Sequence, residues 1–524
     1  MNTDCATFVL SFSRTDRHLG RLWVLSAVVS VCAGFLVLSL SPIVWAVEEG
    51  ELVKNGSRWQ YSSVEDPGLK YLLQKGVISR EEYERGTTVI QDRLRLFTPT
   101  YSITTGDGLN IKSGDNFLLK LRVMLRMRYN YHTYNQAWRG IGDANNAPDY
   151  TTSTTSFANK AGDSSASSFG MRTLRLQFLG YAFSPDLRYN LTLTGDTREN
   201  NFNGAGVAGT VQVLDANVSS WHLPFAVLRI GQQKVWFNRE SITSVATLSF
   251  VERSPISEAF TASGLNLRDV GITLQSDEGK YDVNYAIGVY NGTGINNDRL
   301  AAPLTQGSSN VRADSNELMY VGRLLWNVSG RPGYGEGDIL YSRVPQVAIA
   351  AGYAVNPGLN FQTTTVQFRN QVLGSGNGRL LQAGFVDLKT AEVDVIAKYR
   401  GWGLQAEGYY REQHVRGGDS RLGAATGWYV LLGKYIIPRK LELAVRYGIM
   451  DPNVNEGRDL LKDAGAAVTY SFDGTYNHRL IVDYSNVTMG SGGYAAGRTA
   501  LASTPGFGRD LVENRVRAMY QFYW

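Results

Sequence analysis

Apolar and polar residues alternate along most of the chain, in segments of about ten residues. In one segment Leu119 and Leu121 alternate with Lys120 and Arg122. A period of two places successive side chains on opposite faces of a β-strand. From about Phe117 onward the pattern predicts about sixteen strands, near residues 117–132, 169–183, 186–197, 210–222, 225–234, 266–277, 279–291, 316–328, 346–356, 389–400, 402–414, 425–436, 439–450, 461–472, 476–487 and 511–524.

The connections between these segments alternate between short and long. Links such as 184–186 and 223–224 are tight, whereas 133–168 and 235–265 are long and polar or mixed. An even number of antiparallel strands joined in this way is typical of a closed transmembrane barrel. One link, 329–346, is long where a tight turn is expected. A soluble sandwich or propeller would show the same alternation and is the alternative.

The C-terminal segment favours the membrane barrel. Trp524, Phe522 and Tyr520 form one apolar row, and Gln521 and Arg517 belong to the opposite row. One face would suit lipid and the other water, as in a membrane-spanning strand. We therefore predict an all-β fold, a transmembrane antiparallel β-barrel of about sixteen strands.

The first residues resemble a secretory signal. Three arginines in residues 14–21 precede an apolar run that ends in a processing-like stretch, with cleavage predicted after Ala46. An uncleaved anchor is the alternative, because Leu22 to Leu40 could nearly span a bilayer. We expect residues 1–46 to be the signal peptide.

Residues 47–98 differ from the alternating region and predict a short periplasmic helical extension ahead of a barrel at 99–524. Two helical patterns flank Gly76, and the spacing of Ser79 and Glu82 predicts a capping box for the second helix.

Composition narrows the class further. The hydrophobic fraction is 43% and the mean hydropathy is −0.20, which does not suit a helical membrane protein. Both cysteines, Cys5 and Cys32, lie in the signal segment, so we expect no disulfide in the mature chain. A formal net charge of +5 is too small to indicate a nucleic-acid partner.

Several basic residues fall on the polar rows that would face the lumen of such a barrel. A series of guanidinium groups along a pore attracts anions and offers them successive sites. The alternative is that these charges pair with Asp215, Glu392, Asp394 and Glu407, or with Asp196, across the barrel. The predicted pore-lining, anion-binding residues are Lys120, Arg122, Arg126, Arg128, Arg175, Arg188, Arg229 and Arg323.

The long link 235–265 carries aromatic residues that solvent would not favour, among them Trp236, Phe237, Phe250 and Phe260. We predict that it folds into the barrel and narrows the pore. An external lid or a loop for trimer contacts is the alternative. The predicted constriction residues are Lys234, Arg239, Glu240, Glu252 and Arg253.

Signals of enzymatic chemistry are few. After residue 46 the histidines are His132, His222, His414 and His478, without the spacing of a metal site. We predict no catalytic residue, metal or cofactor. The alternative is a hydrolase at the lipid interface, with His478 in a Ser–His–acid set.

Longer motifs resemble a known family. "LRIGQQKVWFNRES", "SFVERSPISEAF", "DVGITLQ" and "YAIGVYNGTG" are similar to the phosphate-selective porin O and P family, as are "GDGLNIKSGDNFLLKLRVMLRMRYNY" and "LLQKGVISREEYE". The positions that match the family signature are Gly231, Lys234, Phe237, Glu240, Glu252 and Arg253. Trp236 departs from it, because it stands where the family usually has proline.

The resemblance implies a sixteen-stranded trimeric barrel in the outer membrane of a Gram-negative bacterium, with an arginine-lined channel for phosphate-like anions. The implied partners are small anionic solutes, outer-membrane lipid, two further copies of the chain, and the barrel-assembly machinery through the aromatic C-terminal strand. A general or sugar-type porin with weak charge selectivity and a plugged structural or adhesive barrel are the alternatives.

Overall fold

The computed structural model describes the main body of the chain. The predicted signal segment 1–46 and much of the long predicted links lie outside the described residues. The chain divides into two compact units, 1–102 and 103–524. The described residues are 52–55, 58–61, 67–85, 101–134, 165–195, 211–262, 267–294, 311–312, 317–361, 365–367, 379–381, 384–416, 424–455, 457–490 and 510–524.

The first unit contains a hairpin of β1 (Leu52–Asn55) and β2 (Arg58–Tyr61), helix α1 (Pro67–Gln74) and a second helical turn at 80–85. The backbone N–H of Ser79 donates to Glu82 Oε2 at 2.8 Å, and the Glu82 N–H donates to Ser79 Oγ at 3.2 Å. These bonds confirm the capping box. The hairpin was not predicted. Among the described residues, no helix has both the length and the apolar character of a membrane span.

The second unit is a closed antiparallel barrel. Sixteen strands, β5–β11, β13, β14 and β17–β23, form its wall, which confirms the predicted fold class. In chain order the strands are β3 (Tyr101–Gly106), β4 (Gly108–Ser113), β5 (Phe117–Tyr134), β6 (Ser165–Ala182), β7 (Leu187–Thr194), β8 (Gln212–Ser220), β9 (Val227–Lys234), β10 (Arg268–Gln275), β11 (Val283–Tyr290), β12 (Val311–Arg312), β13 (Met319–Ser329), β14 (Gln346–Phe361), β15 (Thr365–Gln367), β16 (Arg379–Leu381), β17 (Gly384–Tyr399), β18 (Trp402–Val415), β19 (Ala425–Ile437), β20 (Leu441–Asp451), β21 (Leu461–Ser471), β22 (His478–Met489) and β23 (Leu511–Tyr523).

The last strand closes the barrel. β23 pairs with β5 in an antiparallel ladder, and the ladder extends to the final residue, because Trp524 and Val123 exchange two backbone hydrogen bonds of 2.7 and 2.9 Å. Closure satisfies the backbone groups that an open edge would expose to hydrocarbon.

Exposure alternates along β23 as the sequence predicts. Phe522 is 43% exposed and Tyr520 is 42% exposed, whereas Gln521 and Met519 are fully buried and Arg517 is nearly so. The apolar row therefore faces outward and the polar row faces the interior. This arrangement is that of a barrel in lipid.

The interior is partly filled by the link between β9 and β10. Its described part, residues 235–262, is called the inner loop below. It contains helix α2 (Arg239–Ile242), a 3-10 turn at Val245–Thr247 and helix α3 (Pro255–Ala259), and nearly all of its side chains are buried.

The wall leaves room for the inner loop where it carries glycine. A Cβ added at Gly427 in β19 would lie 2.7 Å from the Phe260 ring and 2.9 Å from Ile256. Phe260 also stacks on Tyr409 of β18, with ring centroids 5.0 Å apart. These contacts place the inner loop inside the barrel, as the sequence predicts.

A second segment also enters the barrel. The link between β13 and β14, residues 330–345, is called the turn segment below, because short turns occupy the equivalent positions elsewhere at this end. Glu336, Asp338 and Ile339 are each at most 5% exposed. By the orientation usual for such barrels this end is periplasmic, so the two segments enter from opposite sides.

Candidate functional site

A cavity of about 240 Å³ lies between one side of the barrel wall and the inner loop. The wall side comes from β5–β10, and the inner loop supplies the opposite side. The lining residues are Met124, Arg175, Gln177, Asn190, Asp215, Asn217, Arg229, Gln233, Lys234, Trp236, Ile242, Ser244, Val245 and Arg268.

Basic groups outnumber acidic groups around this cavity. Three arginines and one lysine line it, against the single carboxylate of Asp215. Asp215 accepts two hydrogen bonds from Arg268, at 2.8 Å from Nε and 3.2 Å from Nη2. Such a bidentate pair neutralises Arg268 locally. Three further basic side chains, those of Arg175, Arg229 and Lys234, complete the charged lining of the cavity.

Lys234 joins the wall to the inner loop at the edge of the cavity. Its Nζ donates to the carbonyl oxygens of Ile242 and Thr243 at 2.6 and 2.9 Å. The guanidinium of Arg229 lies 5.7 Å from the centre of the Trp236 ring, within cation–π range. Two residues of β9 are therefore in contact with the inner loop beside the cavity.

One row of wall residues holds the middle of the inner loop. Backbone pairing places Arg479, Gln521 and Arg126 side by side on β22, β23 and β5. Arg479 donates to Leu248 O at 3.0 Å, and Arg126 donates to Val251 O at 2.8 Å. Gln521 donates to Ala246 O at 3.0 Å. These donors satisfy loop carbonyls that would otherwise be buried without partners.

Other wall arginines hold further parts of the loop in the same way. Arg411 donates to Ala259 O and Thr261 O at 2.8 and 2.6 Å, and Arg446 donates to Glu252 O at 3.0 Å. Many lumen-facing arginines are therefore anchors of the loop.

Two predicted pore-lining residues need correction. Arg126 and Arg323 face the interior, as the alternation predicts, but the inner loop covers them. Arg323 donates to Phe237 O at 2.7 Å and forms ion pairs with Glu392 and Asp394. Neither arginine is among the residues that line the cavity, and each is bonded to the inner loop.

The remaining members of the predicted basic series lie apart from the cavity. Near the periplasmic end, Lys120 and Arg122 pair with Asp107 at 3.0 and 2.7 Å. Arg188 is exposed and lies over the Trp221 ring at 4.1 Å. Asp107 is not one of the partners that the alternative of paired charges named, whereas Arg323 pairs with two that it did name, Glu392 and Asp394.

The predicted constriction residues are distributed differently from the prediction. Lys234 lines the cavity. Glu252 pairs with Arg128 and Arg172 of the wall. Arg239 pairs with Asp394 at 2.9 Å.

Glu240 and Arg253 lie within the loop. Arg253 Nη2 donates to Thr243 O at 2.7 Å, and Glu240 Oε1 accepts from the Ser254 N–H at 2.8 Å. Arg239, Glu240 and Arg253 are each at most 5% exposed. Glu240 and Arg253 shape the loop from inside, whereas Arg239 bonds to the wall and to the turn segment. None of the three lines the cavity.

The sequence prediction missed Arg268. It lies at the start of β10 on the interior row, so the same alternation could have identified it. Arg172, which pairs with Glu252, gave a weaker signal, because it adjoins the point where the pairing of β5 with β6 shifts register.

Two buried carboxyl groups lie near the junction of the inner loop and the turn segment. Burial raises the pKa of Glu240 and of Glu336 to about 7, and the charge of Glu336 further raises that of Glu240. The charge of Glu442 also raises the pKa of Glu336, whereas Arg446 and Arg253 lower it.

No set of metal-binding side chains occurs among the residues that the structure describes. His478 accepts or donates a hydrogen bond with the Tyr520 hydroxyl at 2.7 Å and stacks on Phe472 at 4.4 Å. This cluster is typical of the aromatic girdle of a membrane barrel.

Comparison with known proteins gives a family match. The model of the family "Phosphate-selective porin O and P" matches residues 144–522. The comparison with curated proteins gives no match.

Solved structures that resemble the chain include an anion-selective porin, an outer membrane channel and OmpF. The anion-selective porin of Comamonas acidovorans is 12% identical, with 78% of this chain and 100% of that chain covered and a TM-score of 0.46. The outer membrane channel DcaP of Acinetobacter baumannii is 13% identical, with 79% of this chain and 99% of that chain covered and a TM-score of 0.46. Salmonella typhi OmpF in complex with daunomycin is 14% identical, with 80% of this chain and 100% of that chain covered and a TM-score of 0.44.

Proposed function

Because the chain belongs to the phosphate-selective porin O and P family and is a porin of the Gram-negative outer membrane, we propose that its channel prefers small anions. Solutes diffuse passively through the water-filled space between β5–β10 and the inner loop. The observation that carries this proposal is the excess of basic over acidic side chains around that space.

The chemistry of the lining supports anion passage. A guanidinium group presents several N–H donors and keeps its charge at every physiological pH. These donors can replace the water molecules that an oxyanion loses when it enters the passage. Arg175 and Arg229 lie on different strands, and the amides of Gln177, Asn190 and Asn217 add neutral donors around them. Neutral donors can replace water around a small anion without trapping it.

Phosphate-like solutes suit this lining. Phosphate oxygens match the fork of donors on arginine, and one charge-assisted hydrogen bond contributes about 1.5–3 kcal/mol. The narrow cavity brings a passing anion within reach of several donors at once. We therefore propose inorganic phosphate and similar small anions as the favoured solutes.

Inorganic phosphate should reduce the chloride current of the purified protein in planar bilayers. A bound phosphate would occupy the cavity and slow chloride. Arg229→Gln should weaken the inhibition roughly tenfold, since it removes one charged contact. Arg188→Gln, at an exposed position beside Trp221, should leave it unchanged. If phosphate did not change the chloride current, phosphate would not be a favoured solute. The alternative of a general porin with weak charge selectivity would then stand.

Conductance should increase as the pH rises from about 5 to about 8. Burial raises the pKa of Glu240 and of Glu336 from 4.5 to about 7, so ionising them costs more free energy in the folded chain than in the unfolded chain. This loss of folding free energy begins above pH 4.5, grows until about pH 7 and is constant at higher pH. The contact between the loop and the turn segment weakens as both groups become charged. Glu336→Gln should flatten this pH dependence in single-channel recordings, and an unaltered profile would exclude Glu336 as its source.

The proposal extends to export and assembly. Residues 1–46 would be removed on export, and 47–98 would lie in the periplasm. Three copies would assemble in the membrane. The aromatic C-terminal strand would be the segment that the barrel-assembly machinery recognises.

A further inference from the structure

The turn segment reaches the inner loop deep inside the barrel. The Ser249 N–H donates to Glu336 Oε2 at 2.6 Å, and Thr243 Oγ1 donates to Tyr334 O at 2.9 Å. Arg239 Nη1 donates to the Gly333 carbonyl at 2.8 Å. Three successive parts of the inner loop are thus bonded to a segment that enters from the other end of the barrel.

Tyr334 lies directly behind the cavity lining. Its ring meets the Trp236 ring edge to face, with centroids 6.1 Å apart, and Trp236 lines the cavity. The guanidinium of Arg239 lies 5.1 Å from the centre of the Tyr334 ring. The Tyr334 hydroxyl donates to Glu278 Oε1 at 2.5 Å, which ties the ring to the link between β10 and β11.

The turn segment is itself fixed to the wall. Lys398 Nζ donates to Pro332 O at 2.7 Å, and the Tyr476 hydroxyl donates to Gly337 O at 2.8 Å. A Cβ added at Gly403 in β18 would lie 2.7 Å from Glu336 O and 3.2 Å from the Gly337 Cα. The wall therefore has space for the segment only because residue 403 is glycine.

We propose that the turn segment supports the inner loop from behind and so sets the width of the passage, with Tyr334 and Glu336 as positioning residues. Trp236 and Thr243 cannot move away from the β5–β10 wall while Tyr334 occupies the space behind them. The inference goes beyond anion preference, because it concerns the size of the passage and holds for either sign of the selectivity.

Gly403→Val tests the proposal through a steric change on the wall. Valine suits a β-strand but would displace the turn segment from Glu336 onward. We expect at least a twofold rise in single-channel conductance and faster entry of larger neutral sugars in liposome swelling. The matched control is Gly408→Val in the same strand, where an added Cβ meets only Val393 at an ordinary 3.6 Å.

A pair of substitutions at Tyr334 tests the support directly. Tyr334→Ala removes the ring behind Trp236 and should raise conductance and the size limit together. Tyr334→Phe keeps the edge-to-face contact and loses only the bond to Glu278, so it should restore most of the wild-type size limit. If Tyr334 served stability alone, folded Tyr334→Ala channels would keep the wild-type conductance and size limit.

Correct folding of each variant is checked by the heat-dependent shift of the barrel in gel electrophoresis. If Gly403→Val does not fold, the two Tyr334 variants decide the question. Wild-type conductance and size limit in Tyr334→Ala would overturn the proposal. The zero-current potential, measured on the same channels, reports anion preference separately, so failure here and failure of the proposed function are distinguishable.

Discussion

Replacing Arg175 and Arg229 together by glutamate should reverse the ion preference of the channel from chloride to potassium. Both side chains line the cavity, where Asp215 is the sole carboxylate among the lining residues and already pairs with Arg268. The change turns two positive charges into two negative ones in the cavity that we propose as the passage. Two unit charges 4 Å apart interact by about 1 kcal/mol in water and about 4 kcal/mol near a protein surface.

An effect of this size corresponds to a change of tenfold or more in the permeability ratio, because about 1.4 kcal/mol is a factor of ten. The control is Lys120→Glu with Arg188→Glu, which alters the net charge equally but at positions outside the cavity lining. It should weaken anion preference without reversing it. Equal effects of the two double variants would mean that the overall charge of the pore, and not the cavity, sets selectivity.

Shortening the inner loop should raise conductance several-fold and reduce the anion preference towards none. Replacing residues 239–260 by a short glycine–serine linker would empty the part of the lumen that the loop fills. The uncovered wall carries acidic Asp394 and Glu407 as well as basic Arg411 and Arg446. A wide pore with mixed charges selects weakly, because ions pass farther from any one charge than the screening length.

Closure of the barrel should survive this change, because the β23–β5 ladder involves no residue of the loop. A milder variant, Arg411→Ala, removes the donors to Ala259 O and Thr261 O and should produce a noisier, larger conductance. Its control is Arg416→Ala, whose partners Glu317 and Asp387 lie outside the loop. Unchanged conductance in the shortened chain would show that the loop does not restrict the passage.

The sequence predicted the barrel wall well, because alternation directly reports a strand with two different environments. Each of the sixteen predicted segments corresponds to a strand, and the closing row from Val516 to Trp524 faces outward as expected. The short strands β3, β4, β12, β15 and β16 were missed. They are two to six residues long, too short for a period of two to be distinguished from chance.

The site was only partly predictable. Alternation correctly placed Arg126 and Arg323 on the interior face, but a periodic pattern does not report what covers that face. Their partners come from loop residues such as Val251, 125 positions away from Arg126 in sequence. The unusual length of the link at 329–346 was visible in the sequence, yet its contact with Ser249 joins residues 87 positions apart, which no local pattern reports.

The most direct test of the central claim is the zero-current potential of the wild-type porin in a planar bilayer under a tenfold KCl gradient. Dilute salt, about 0.1 M on the concentrated side, keeps the screening length near 10 Å, so the charges of the cavity act on passing ions. The account predicts a zero-current potential with the sign of the chloride equilibrium potential, as expected when chloride is more permeant than potassium. A zero-current potential of zero, or one with the sign of the potassium equilibrium potential, would contradict an anion-preferring channel through the basic cavity.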